Sequence, residues 1–75
     1  MSINEFEVMH TWMKAYVERC DREGWASPEV QEYANRVMRG LWACANNPPN
    51  GVINEILAED TEKLAQAQAK AKPPA

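Results

Sequence analysis

The sequence predicts an all-α protein: an antiparallel helical hairpin plus a short third helix, two copies of which form a homodimeric helical bundle. Three observations predict it. Two long stretches, each opened by a helix-start signal, carry apolar residues at alternating steps of three and four. No stretch alternates apolar and polar residues as a half-buried strand does. The two stretches together own more apolar surface than one small core can hide.

The first helix is expected at residues 3–23. Ser2-Ile3-Asn4-Glu5 reads as a capping box, in which a hydroxyl meets the amide three residues on and the acid reaches back. Phe6, Met9, Met13, Tyr16 and Cys20 then form one stripe. Glu18 and Arg22 stand four apart, the spacing of a stabilising ion pair on the outer face. Gly24 supplies the stop.

The second helix is expected at residues 28–46. Ser27-Pro28-Glu29 combines a capping hydroxyl, a proline at the first helical position and an acid in the first turn. Val30, Ala34, Val37, Leu41 and Cys44 make the buried stripe, and Glu32 pairs with Arg36 on the wet face. Gly40 interrupts the helix at a cost of about 1 kcal/mol relative to alanine, so either a ring such as Trp12 or Phe6 lies close against it or it is merely tolerated. Asn46-Asn47-Pro48-Pro49-Asn50-Gly51 ends the element, because consecutive prolines cannot continue it.

Val52, Ile53, Ile56, Leu57 and Leu64 suggest a third helix over residues 51–64, with a gap in its apolar face at Asp60 and Thr61. The helical domain is therefore expected to span residues 1–64. The Ala/Gln/Lys/Pro tail, residues 65–75, has good helix formers but nothing to bury, and is expected to fray or stay disordered.

The short link from Glu23 to Ser27 makes helices 1 and 2 antiparallel, so positions whose numbers sum to about 51 share a height. Cys20 and Cys44 then lie about 20 Å apart, beyond disulfide reach, and read as small core residues. The start of the chain shows neither the basic segment nor the apolar run of a signal peptide, and no stretch approaches the roughly 20 apolar residues of a membrane span. A cytoplasmic setting, with reduced thiols, is expected.

Seventy-five residues make a single domain near the lower limit for folding alone, where a second subunit commonly helps. Around helix 1 the apolar arc spans very roughly 220°, with Val8 and Trp12 beyond the central stripe, and Met38 and Trp42 widen the stripe of helix 2 in the same way. A short third helix covers part of this excess. A second copy covers the rest, the alternative being a monomeric three-helix bundle with both tryptophans packed on helix 3. Val8, Trp12, Met38, Trp42 and Trp25 are the candidate dimer or partner interface. Trp25, in the hairpin loop, either closes the end of the bundle or stands out as an anchor.

No catalytic, cofactor or metal site is expected. His10 is the only histidine, its spacing to Cys20 and Cys44 fits no zinc site, and it lies about 15 Å along the helix from Cys20. The acid pairs Glu5/Glu7, Asp21/Glu23 and Glu59/Asp60 belong to solvated helix faces. A net charge of −3 and a third helix whose only base over 51–64 is Lys63 argue against binding DNA. These exclusions leave protein recognition, for which tryptophan and methionine are suited. In size and make-up the chain is similar to the small inhibitors and antiactivators of bacteria and phages. That likeness implies a non-enzymatic regulator which inhibits or modulates a larger protein, such as a transcription regulator or an ATPase, by occluding its surface. A small helix-turn-helix-like DNA-binding regulator and a purely structural self-assembling subunit are the alternatives.

Overall fold

Asn4 begins the first helix. Its Oδ1 accepts the Phe6 and Glu7 amides at 3.0 and 3.3 Å, while its Nδ2 donates to the Ala45 carbonyl at 3.0 Å, tying the start of one helix to the end of the next. The computed structural model describes residues 4–46 and 51–71, and within them three helices, α1 (Glu5–Glu23), α2 (Pro28–Asn46) and α3 (Gly51–Lys70), with no strand. The capping box expected at Ser2 is replaced by Asn4 as the cap, and Ser2 itself lies outside the described residues. An asparagine oxygen serves this position as well as a hydroxyl does, so two nearby capping residues left the start ambiguous by a fraction of a turn.

Gly24 ends α1 at φ +93°, a conformation that costs glycine little. Ser27 Oγ accepts the Val30 amide at 3.2 Å and opens α2 at Pro28, as its sequence signal predicts. Glu32 and Arg36 pair at 3.1 Å, but near the end of α1 the ion pair is Arg19–Glu23 at 3.4 Å rather than Glu18–Arg22. Both are exposed and contribute little to stability.

α2 is the middle element. Its buried stripe of Val30, Ala34, Val37 and Leu41 meets Val17 of α1 and Leu57, Leu64 and Ala67 of α3, with Phe6, Met13, Tyr16 and Cys44 packed around them. α1 and α3 both run antiparallel to α2 and do not approach each other along their backbones. The hairpin register follows the height rule: Asn4 meets Ala45, and the His10 ring lies 4.9 Å from that of Trp42.

α3 departs from its sequence reading. It continues to Lys70 instead of ending at 64, so residues 65–70 are helix, while residues 72–75 lie outside the described residues. Its buried stripe is Leu57, Asp60, Leu64 and Ala67, with Ala71 packed beyond, at steps of three and four. The supposed gap at Asp60 is thus a buried position, and two small alanines extend the face that looked finished at Leu64. Of Ile53, Ile56 and Leu57, expected to help cover the hairpin, Leu57 is buried and Ile56 is exposed instead, as is Val52. Among the described residues no helix is long and apolar enough to cross a membrane.

Candidate protein-interaction groove

Because α1 and α3 rest on α2 without touching along their backbones, a groove runs between them. Val8, Met9, Trp12 and Met13 form its α1 wall, Thr61 and Leu64 its α3 wall, and Val37 and Leu41 its floor. Its volume is about 470 Å³. A second depression, sharing Met9 and Thr61, continues it past Phe6, Ala58 and Ala65. At the other end Gln68 Nε2 donates to the Tyr16 hydroxyl at 2.9 Å and bridges α3 to α1. Burial holds the Tyr16 phenol above its ordinary 10.0; the Gln68 bond opposes this and the Cys20 thiol adds to it.

The lining is apolar in chemistry as well as in name. Thr61 is its one hydroxyl, and that group donates back to the Leu57 carbonyl at 2.7 Å. The volume falls in the range of small-molecule pockets, ~300–1,000 Å³, but the convergent polar groups that orient a small ligand are missing from the lining. Such a trough suits apolar side chains.

The structure answers what covers Trp12: its own chain does not. Trp12 is 77% exposed, Met9 49% and Val8 44%, side by side on the groove's rim. The other candidates lie elsewhere. Trp42, 54% exposed, rests on His10, which lies about 160° around α1 from Trp12. Met38 packs against the core. Trp25 is half-buried at the hairpin loop, also against the core, with its indole N–H donated to Asp21 Oδ1 at 2.8 Å, so it closes the bundle end. Val8 and Trp12 are therefore brought together, and Met38, Trp42 and Trp25 do not join them.

Sequence reasoning missed Met9 as a rim residue, because it belongs to the same stripe as the buried positions. It also missed the opposite walls, Thr61 and Leu64, whose placement depends on where α3 docks. Gly40 does have a close neighbour, but this is Leu57 of α3 rather than Trp12 or Phe6.

On the other side of the α2–α3 pair, Gly40, Ile53, Ile56 and Asp60 line a further depression with Arg36 and Arg39. Arg36 lies 5.6 Å and Lys63 5.9 Å from the Tyr33 ring, and the Glu59 carboxylate 3.1 Å from Lys63 raises that ammonium's pKa. Cys20 and Cys44 are free thiols, with Cys44 Sγ 3.5 Å from Asn54 Oδ1. No three of His, Cys, Asp and Glu among the described residues gather as a metal ion would require. The chain matches no protein-family model, no curated protein and no solved structure.

Proposed function

We propose that this chain is a non-enzymatic, protein-binding regulator, working as a homodimeric helical bundle, that inhibits or modulates a larger protein by occluding part of its surface. The observation that carries the reading is the bare rim of Val8, Met9 and Trp12 beside an apolar groove. An exposed tryptophan next to exposed aliphatic side chains is the composition of a binding hot spot, and contiguous apolar surface of this kind marks interaction sites. Methionines at the rim adapt to the shape of what they meet. The mechanism is steric: a helical face of this protein covers a surface that the target needs for its own pairing, DNA contact or nucleotide cycle.

Affinity capture with wild-type protein and with Trp12→Asp as parallel baits tests this, followed by reconstitution with the purified target. The expected result is a target retained by wild type, lost with Trp12→Asp, and reduced in its own activity when bound. Equal retention by both baits, or binding without any effect on the target, counts against it.

A further inference from the structure

α1 carries two seams. One, through Phe6, Met13 and Tyr16, faces α2. The other consists of Glu5, Val8, Trp12, Ala15 and Arg19, again at steps of three and four, and all five are exposed. This second seam has an acid at one end, a base at the other and only uncharged residues between. It borders the groove, since Val8 and Trp12 belong to both.

That charge order selects an occupant. Two copies of the seam laid parallel would set Glu5 against Glu5 and Arg19 against Arg19. Laid antiparallel about a two-fold axis at Trp12, they set Glu5 of each copy against Arg19 of the other, and Val8 beside Ala15. The macrodipoles of the two helices are then opposed, which is the favourable arrangement. Arg19 already holds Glu23 through Nε, but a guanidinium carries five donors and can take a second carboxylate. At the axis, each Trp12 leaves its own rim and enters the other copy's groove at the level of Val37, Leu41 and Leu64. The contact is self-complementary, knob and socket on one surface, as an isologous dimer requires.

We propose that the groove-side seam of α1 pairs antiparallel with the same seam of a second copy, with Trp12 on the two-fold axis and Glu5 of each chain meeting Arg19 of the other. This rests on the homodimer reading above and fixes its geometry; because it covers the rim of Val8 and Trp12 given above to the target, target and second copy compete for that rim and the dimer opens when the target binds. Glu5, Trp12 and Arg19 are exposed, so their substitution leaves the fold intact, which circular dichroism checks. Sedimentation and light scattering up to about 100 µM chain then give the mass and the dissociation constant. The expected result is a wild-type dimer of 8.5 kDa chains. Glu5→Arg and Arg19→Glu should each weaken it about tenfold, because the two-fold axis counts every pair twice, and the double exchange E5R/R19E should restore it. Trp12→Ala should weaken it at least about a hundredfold. A dimer indifferent to all four variants overturns this geometry while leaving the homodimer reading in place. A wild-type mass near 8.5 kDa throughout overturns both and leaves the groove to a helix of another protein.

Discussion

Leu57 closes over Gly40: a methyl group built on the glycine would stand 3.1 Å from Leu57 Cδ1. The absence of a side chain at one position of α2 thereby sets how closely α3 can approach. Alanine at Gly40 gains about 1 kcal/mol of helix propensity, and Leu57 Cδ1, the end of a side chain bordering the outer depression, has room to give. Gly40→Ala should leave stability within about 1 kcal/mol of wild type, whereas Gly40→Val, with two further atoms against Leu57, should cost about 1–3 kcal/mol. Urea denaturation measures both.

The two exposed tryptophans should behave differently. Trp12 has almost no support from its own chain, so at a concentration too low for association Trp12→Ala should change stability by no more than about 0.5 kcal/mol. Trp42 rests on His10, and Trp42→Ala should cost about 1 kcal/mol by the same measurement. Equal costs would contradict the difference in their surroundings.

Ala67 is buried at 2% exposure in a segment that the sequence presented as a loose tail. Ala67→Glu places a methylene and a charged carboxylate between α3 and α2, and should cost at least about 2 kcal/mol, a fall in melting temperature of roughly 10 °C. Ala69→Glu makes the same chemical change at an exposed position of the same turn; as the control, it should leave the melt nearly unchanged.

Asn4 performs two tasks, capping α1 and holding the Ala45 carbonyl. Asn4→Ala should cost about 1–2 kcal/mol. Asn4→Ser keeps the cap but gives up the reach to α2, and should recover only part of the loss. Hydrogen exchange should show the Phe6 amide losing protection in the alanine variant and keeping it in the serine variant, while the Glu7 amide, which also donates to the Asn4 carbonyl at 3.1 Å, changes less.

Tyr16 makes stability depend on pH at the alkaline end. Its phenol, raised above 10.0 by burial, keeps its proton in the folded state after the unfolded chain has lost it. The contribution is fully present below pH 10.0 and declines as pH rises from there through the folded value. Lys63, raised above 10.5 through its bond to Glu59, acts in the same direction just above. Denaturation midpoints measured from pH 8 to pH 12 should therefore fall at the top of that range, and less steeply in Tyr16→Phe (the span being set by the roughly 10 to 10.5 ordinary values of the two groups).

The hairpin was legible from the sequence because local signals agreed: a cap, a proline, a glycine stop and two apolar stripes, with a short link fixing the register that Asn4–Ala45 and His10–Trp42 display. Trp12 as a residue without cover was legible too, since its angle on α1 lies off the stripe. The far end of α3 was not. Ala67 and Ala71 bury too little surface to announce themselves, and an aspartate within the stripe reads as an interruption. Asp60 also borders the depression that Arg36 and Arg39 line, and among the described residues no buried side-chain polar atom lacks a partner. The groove was hidden for a different reason: it is the space left by α3's choice of docking angle, which tertiary packing decides.

The central position of α2 has a kinetic corollary. Each backbone-close interface in this protein joins helices that are consecutive along the chain. Closing either one demands only a short loop, so little entropy is spent before native contacts begin to reward the search. Folding should consequently be fast, with α2 as the template on which either flanking helix can settle first.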